Sequence, residues 1–135
     1  APQLVNEFLL KRIVDVEAGY WQSTALTDKG EVYIWGSNSN GLLGLGPNRE
    51  HDALVPTLIP TFGGTRVVQI SCTDGHSAAI TEDQELYVWG TRVDNLDSFA
   101  DIPELVDVRE RVRYVLSNFI IYLMILMMIL AGFEY

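Results

Sequence analysis

Two stretches of the chain, 54 residues apart, share the same order of hydrophobic and polar positions. Residues 14–36, VDVEAGYWQSTALTDKGEVYIWG, align without a gap with residues 68–90, VQISCTDGHSAAITEDQELYVWG, and are identical at eight of 23 positions. Each copy runs from a β-branched segment through a short loop, a small-residue segment and a polar turn to an apolar segment that ends in Trp-Gly. A fixed period of this length predicts a supersecondary unit that is repeated and stacks on its neighbours.

Each repeat is predicted to contain four short strands. Alternating and β-branched runs bounded by turn residues are typical of strands. In the first repeat these runs place the first three strands at Val14–Val16, Ser23–Thr27 and Val32–Trp35. In the second repeat they place them at Val67–Ile70, Ser77–Thr81 and Leu86–Trp89. The proline-containing segments Leu54–Ile59 and Pro103–Val108 are predicted as fourth strands, because proline is tolerated at sheet edges. Gln3–Val5 is predicted as the last strand of a preceding unit.

Three hairpin-linked strands with a fourth returning strand form one blade of a β-propeller. The predicted fold class is therefore all-β: a partial, open β-propeller of about two four-stranded blades in residues 1–108 (repeat cores 14–36 and 68–90). A basic flank and a hydrophobic helix are predicted in residues 109–135. Two blades leave open sheet edges, and repeat folds usually need three or more units to bury a continuous core. We therefore expect the unit to need further blades, from a longer chain or through oligomerisation.

The motifs of these repeats resemble the regulator of chromosome condensation repeat, a family of seven-bladed β-propellers. The resemblance covers about residues 1–108, and it rests on Ala25-Leu26-Thr27, His76-Ser77, the run GEVYIWG at 30–36 and the run NSNGLLGLG at 38–46. It implies a propeller fold and a protein partner, with guanine-nucleotide exchange on a small GTPase as an activity found in the family. The wedge-like insertion that the family uses for exchange has no match in this chain.

The net charge and the single cysteine exclude several classes of function. An acidic chain with a net charge of −9 gains nothing from counterion release on a phosphate backbone, so nucleic acid is not expected as a partner. Cys72 is the one cysteine, which leaves no intramolecular disulfide and no cysteine metal cluster. No catalytic triad, paired-carboxylate motif or nucleotide fingerprint is present, so we predict no catalytic residue, cofactor or metal ion.

The histidine and cysteine side chains of the second repeat, His76 and Cys72, are interpreted as structural. The loops are interpreted as the contact surface. His76 is predicted to bond the backbone of a neighbouring blade, since Gln22 fills the equivalent position, and Cys72 is predicted to be a buried, unreactive thiol. Propeller loops present a docking face on a rigid scaffold. The candidate contact residues are Tyr20 and Trp21 in the first short loop, and Asn38, Asn40 and Arg49 in the longest loop, residues 37–53.

The C-terminal tail contains 20 residues without a charge, residues 114–133, after the closely spaced Arg109, Arg111 and Arg113. As a helix, this segment would span about 30 Å, the thickness of a hydrocarbon core. The flanking arginines predict a tail anchor with the propeller part facing the cytosol. A second interpretation stays open, because residues 111–115 (RVRYV) resemble the opening strand at residues 66–70 (RVVQI). On that interpretation the tail is core-packed, or arises from a frameshift or altered splicing.

Three hypotheses about function follow. The first is a non-catalytic protein–protein interaction or scaffold module, cytoplasmic and anchored in a membrane through residues 114–133. The second, implied only by the family resemblance, is a guanine-nucleotide exchange factor for a small GTPase, or a fragment of one. The third is a truncated gene product without a function of its own.

Overall fold

The computed structural model describes residues 1–48, 51–60, 62–91 and 99–106. These residues form eight strands and two short 3-10 helices, the latter at Asn6–Phe8 and Ser39–Gly41. In chain order the strands are β1 (Ile13–Ala18), β2 (Gln22–Thr27), β3 (Val32–Gly36), β4 (Ala53–Leu58), β5 (Val67–Cys72), β6 (His76–Thr81), β7 (Leu86–Thr91) and β8 (Phe99–Leu105). They form two four-stranded antiparallel sheets, in the orders β1-β2-β3-β4 and β5-β6-β7-β8.

The two sheets are the predicted blades, and their registers are equivalent. Ser23 pairs with Trp35 in the first blade, and Ser77 pairs with Trp89 in the second. The prediction of an all-β, open segment of a propeller with two four-stranded blades is therefore confirmed. The fourth strand of the second blade lies earlier than predicted, because the chain already pairs with the end of β7 from Phe99 onward. The predicted C-terminal helix lies outside the described residues.

The segment Gln3–Val5, predicted as the last strand of a preceding unit, forms no strand among the described residues. Val5 has an extended backbone, with φ −82° and ψ 102°, but residues 1–5 pair with no strand among the described residues. A strand needs a hydrogen-bonded neighbour, and no preceding unit that could supply one is among the described residues, so the strand stays a prediction. The chain turns instead through the 3-10 helix at Asn6–Phe8.

Phe8 extends the 54-residue repeat backwards beyond the segments that the sequence pattern identified. Its ring packs edge-on against Tyr33 and Trp35, with centroid distances of 5.4 and 6.0 Å. Phe62 packs in the same way against Tyr87 and Trp89, at 5.4 and 5.9 Å. Aromatic pairs favour this edge-to-face geometry because the positive ring edge meets the negative face of its neighbour. Each blade therefore carries one phenylalanine across its Tyr-x-Trp strand.

The hairpins between β2 and β3 and between β6 and β7 place different residues in the same left-handed conformation. Gly30 has φ +79° and Gln84 has φ +67°. In both turns a threonine hydroxyl accepts the N–H of a glutamate four residues later, Thr27 from Glu31 at 3.1 Å and Thr81 from Glu85 at 3.2 Å. The turn geometry is thus shared, although only the first hairpin has the glycine that suits positive φ.

The hydrophobic core lies between the two blades. Leu26, Val32 and Ile34 of the first blade are buried in one cluster with Ile70 and Trp89 of the second. Burial of these aliphatic and aromatic side chains is the main favourable contribution to the stacking of one blade on the next.

The loop after β3 also contributes to the contact between the blades. Leu43 is completely buried in the core cluster, and the N–H of Gly46 donates to the carbonyl of Asp101 in β8 at 2.7 Å. A Cβ atom on Gly44 would lie 2.5 Å from Cδ1 of Trp89. The glycine-rich loop of one blade therefore covers the tryptophan of the next.

The predicted membrane segment, residues 114–133, lies outside the described residues, as does the boundary predicted between residues 108 and 109. Within residues 1–48, 51–60, 62–91 and 99–106, no helix is long and apolar enough to cross a membrane.

Candidate partner-binding surface

The two ends of the stacked sheets carry different kinds of loop. One end carries the short loops 19–21 and 73–75 together with residues 37–52, and we call it the long-loop end. The opposite end carries the tight turns 28–31 and 82–85, and we call it the hairpin end. Antiparallel strands fix this arrangement, because every second connection returns to the same end of the sheet.

Tyr20 and Trp21 form an exposed aromatic pair at the long-loop end. Their side chains are 72 % and 62 % exposed, and their rings meet edge-on at 5.1 Å. The backbone beneath them is held, because the carbonyl of Trp21 accepts the N–H of Ser37 at 2.9 Å. A rigid backbone that presents two large amphipathic rings to solvent is typical of a contact surface rather than of core packing.

A cleft of about 620 Å³ opens beside this pair, between the first short loop of each blade. It is lined by residues 18–20 of the first blade and residues 72–76 of the second. On the second blade, Thr73 and His76 close the short turn: the N–H of Thr73 donates to the carbonyl of His76 at 2.9 Å. The Thr73 hydroxyl also lies 3.0 Å from Nδ1 of His76.

Gln22, at the position equivalent to His76, makes a hydrogen bond to the neighbouring blade. Its Nε2 donates to the carbonyl of Thr73 at 2.8 Å and to Oγ of Ser77 at 3.4 Å. The backbone N–H of His76 donates to the hydroxyl of Thr73 in its own blade at 3.2 Å, and Nδ1 of His76 lies 3.0 Å from the same hydroxyl. Gln22 is only 2 % exposed, and among the described residues its Oε1 has no hydrogen-bond partner. This buried acceptor was not identified from the sequence, where Gln22 was noted only as a substitute for histidine.

Cys72 is buried between the blades, as predicted. Its Sγ lies 3.2 Å from Oγ1 of Thr24 in the first blade and 3.4 Å from Oγ of Ser77 in its own. Burial raises the pKa of the Cys72 thiol, and hydrogen bonds from Ser77 and Thr24 only partly offset that effect. A thiol with a raised pKa holds little thiolate and is a poor nucleophile.

The predicted contact residues of the longest loop differ in burial and in role. Asn38 is half-buried and shapes the loop: its N–H donates to Oδ1 of Asp52 at 2.9 Å, and its Oδ1 accepts the N–H of Leu43 at 3.1 Å. Asn40 is exposed and has φ +58°, a conformation that asparagine tolerates better than most residues. Arg49, the fifth predicted contact residue, lies outside the described residues.

Charge is distributed unevenly between the two ends. All Lys and Arg side chains in the described part of the chain lie at the hairpin end, namely Lys11, Arg12, Lys29 and Arg66. Several of them have partners: Lys11 forms an ion pair with Glu31 at 2.9 Å, and the Arg66 guanidinium donates to the carbonyl of Asp28. The described part of the long-loop end carries only carboxylates, at Glu17, Asp52, Asp74 and Asp101, whereas the hairpin end carries carboxylates together with these cations.

No group of three His, Cys, Asp or Glu side chains that could hold a metal ion occurs within the described residues. The cleft beside Tyr20 therefore contains hydrogen-bonding groups, a histidine and a carboxylate residue, without a metal-binding cluster. Such a set can recognise a partner by shape, charge and hydrogen bonding.

Comparison with known proteins identifies the repeat. A family model described as the regulator of chromosome condensation (RCC1) repeat matches residues 29–80, and a second model with the same description matches residues 13–42 and 67–95. Together these matches run from residue 13 to residue 95, more than half of the 135 residues. The chain belongs to the regulator of chromosome condensation repeat family.

Relatives in this repeat family are much longer than this chain. The ultraviolet-B receptor UVR8 of Arabidopsis thaliana is 44 % identical over 79 residues, which cover 58 % of this chain and 18 % of the receptor. The mouse (Mus musculus) regulator of chromosome condensation is 38 % identical over 87 residues, which cover 64 % of this chain and 20 % of the relative. The matched segment thus corresponds to about a fifth of the length of each relative.

Two solved structures have the same fold over most of this chain. Human WBSCR16 matches with a TM-score of 0.63 and 28 % identity, over 73 % of this chain and 26 % of that protein. Prp20p of Saccharomyces cerevisiae matches with a TM-score of 0.66 and 16 % identity, over 73 % of this chain and 26 % of Prp20p. At that level of identity the second match shows the fold alone.

Proposed function

We propose that this repeat unit is a non-catalytic protein-interaction module and that it contacts its partner through the long-loop end. The exposed Tyr20–Trp21 pair, at 72 % and 62 % exposure beside the cleft, is the observation that carries the proposal. Tyrosine and tryptophan are enriched among the residues that dominate binding energy at protein interfaces, because they bury a large area at low entropic cost. Asn40 extends the same surface, and Asn38 holds the loop that presents it.

The relatives support a protein partner in general terms. The solved structure of Prp20p is described together with its binding properties to Gsp1p and histones. Another structure shows yeast RCC1 bound to Kap60. These statements concern the yeast protein, of which this chain matches only about a quarter, and they support a protein partner in general.

Affinity capture with matched variants tests the proposal. The full chain, its Trp21→Ala variant and its Leu10→Ala variant are immobilised and exposed to the same cell extract, and the bound proteins are quantified by mass spectrometry. Leu10 is a fully exposed apolar residue near the hairpin end, so its variant controls for general loss of exposed apolar surface. We expect Trp21→Ala to lose the specifically bound proteins that Leu10→Ala retains. Equal capture by all three chains would refute the assignment.

Nucleotide exchange on a small GTPase is the second candidate function, and it is supported only by family membership. Accelerated release of labelled GDP from a panel of purified GTPases would establish it and displace the first proposal. Because no counterpart of the wedge-like insertion is found in the sequence, we expect release rates to stay at the level without added protein.

We further propose that residues 114–133 anchor the chain in a membrane, with the repeats in the cytosol. The support is the sequence: 20 residues without a charge, preceded by three arginines. Carbonate extraction of cell membranes tests this proposal, and we expect the chain to stay in the pellet. Release into the soluble fraction would contradict it and would favour the core-packed or accidental interpretation of the tail.

A further inference from the structure

The chemistry of the long-loop end selects one kind of partner side chain. Its described residues carry four carboxylates, Glu17, Asp52, Asp74 and Asp101, and no lysine or arginine. A surface of one sign beside a concave site raises the local concentration of ligands of the opposite sign. The long-loop end therefore attracts cations.

The aromatic pair gives a cation a specific place at this end. The faces of tyrosine and tryptophan rings carry a negative quadrupole and attract an ammonium or guanidinium group. Tyr20 lines the cleft directly, and Trp21 packs edge-on against it. A planar guanidinium group, which stacks on aromatic faces and carries five hydrogen-bond donors, fits such a surface better than a compact ammonium group.

We propose that the cleft between residues 18–20 and residues 72–76 binds an arginine side chain of a protein partner. The guanidinium group stacks on the Tyr20–Trp21 pair and is attracted by the Asp74 carboxylate. This inference rests on the proposed function, since it names the chemistry of the partner at the same surface. If only this inference is wrong, Trp21→Ala still captures fewer partner proteins than wild type. The partner then contacts the surface with a side chain other than arginine.

A peptide titration on the full chain tests the inference. The probe is a fluorescein-labelled peptide of alternating glycine and arginine, and its control has each arginine replaced by citrulline, which keeps the shape but removes the charge. Binding is followed by fluorescence anisotropy. We expect the arginine peptide to bind and the citrulline peptide to bind at least about fivefold more weakly, since one unit charge at contact distance is worth about 1 kcal/mol in water.

Four variants separate the cleft from general electrostatic attraction. Trp21→Ala is expected to weaken binding of the arginine peptide about two- to fivefold, the range of an exposed cation–π contact. Asp74→Asn is expected to weaken binding by a similar factor. The matched controls, Leu10→Ala and Glu82→Gln, remove an exposed apolar group and an exposed carboxylate near or at the hairpin end, and they are expected to leave affinity unchanged.

Three outcomes would overturn the inference. Equal binding of the citrulline peptide would show that charge is not recognised. Equal losses in Glu82→Gln and Asp74→Asn would show attraction to the net charge of the chain rather than to the cleft. A dimer in sedimentation experiments that dissociates in Trp21→Ala would assign the surface to a second copy of the chain. All variants are exposed substitutions, so unchanged thermal unfolding serves as the folding control.

Discussion

Equivalent residues of the two blades have different environments, although their strands superimpose in register. Ile70 of the second blade is 3 % exposed, whereas its counterpart Val16 in the first is 65 % exposed. Trp89 is buried, and its counterpart Trp35 is half-buried. The difference arises because Ile70 and Trp89 face the first blade and its glycine-rich loop, while no described blade packs on the equivalent face of the first. The repeat therefore encodes the strands, and the neighbouring blade determines burial.

The repeats diverge most at the long-loop end. Where the first blade has the exposed pair Tyr20 and Trp21, the second has Asp74 and Gly75. Gln22 donates to the carbonyl of Thr73 in the other blade, and the equivalent His76 contacts Thr73 of its own turn. Loops tolerate such changes because the strands beneath them supply the stability. Differences between blades at this end therefore create a surface that a perfect repeat would not have.

Truncation of the two equivalent tryptophans should have unequal effects. Trp89→Ala removes a buried ring from the core cluster, and we expect a loss of about 3–5 kcal/mol in the free energy of unfolding. Trp35→Ala removes a half-buried ring, and we expect a loss of less than half of that. Urea denaturation of both variants measures the difference. Equal losses would contradict the account of burial by the neighbouring blade.

Two glycines with positive φ provide a matched test of the contact between blades. Gly44→Ala combines a left-handed backbone (φ +64°) with a Cβ atom 2.5 Å from Trp89, and we expect a loss of about 3 kcal/mol. Gly64→Ala has φ +77° but nothing within 4 Å of the added Cβ, and we expect only the conformational cost of about 1 kcal/mol. The losses in Gly44→Ala and Gly64→Ala are compared from the midpoints of chemical denaturation. If both variants lose the same amount, Gly44 is not needed for close packing on Trp89.

The buried thiol predicts how stability changes with pH. Burial raises the pKa of Cys72 in the folded state above its ordinary value of 9.0. Above pH 9 the unfolded thiol ionises first, so the unfolded state binds fewer protons and the free energy of unfolding falls as pH rises. The slope contributed by one such group is at most about 1.4 kcal/mol per pH unit.

The control for this pH dependence is Cys72→Ala, which removes the titrating group. We expect its unfolding free energy to fall less steeply than that of the natural chain between about pH 8.5 and about pH 10. Tyr87, whose pKa is raised by burial and by Glu85 from an ordinary value of 10.0, contributes a falling slope to both proteins above that range. Identical slopes in the two proteins would contradict the burial of Cys72 in solution.

The smallest expected effect on stability comes from a substitution in the second hairpin, and this substitution is expected to stabilise the fold. Gln84→Gly places glycine at φ +67°, where a side chain is disfavoured by up to about 1 kcal/mol. The equivalent exchange in the first hairpin, Gly30→Gln, should be destabilising. Thermal unfolding compares both variants, and a lower melting temperature for Gln84→Gly would show that the Gln84 side chain makes a compensating contact.

The sequence predicted the blades because strand periodicity and turn residues are local signals. Seven of the eight strands are close to their predicted positions, while β8 is displaced because residues 99–102 carry no distinctive alternation and are fixed by pairing with β7. The strand at Gln3–Val5 stays a prediction, since it was assigned to a preceding unit that is not among the described residues. The Gln22–Thr73 bond and the cleft depend on two blades being stacked, which no single segment encodes.

Site-specific photo-crosslinking tests the central claim, that the long-loop end is the partner surface, most directly. The photoreactive residue p-benzoylphenylalanine replaces Tyr20 in one full-length chain and Leu10, near the hairpin end, in another, and both are irradiated in cells. The account predicts crosslinks to a partner protein from position 20 and none from position 10. Crosslinks of equal yield from both positions, or from position 10 alone, would contradict it.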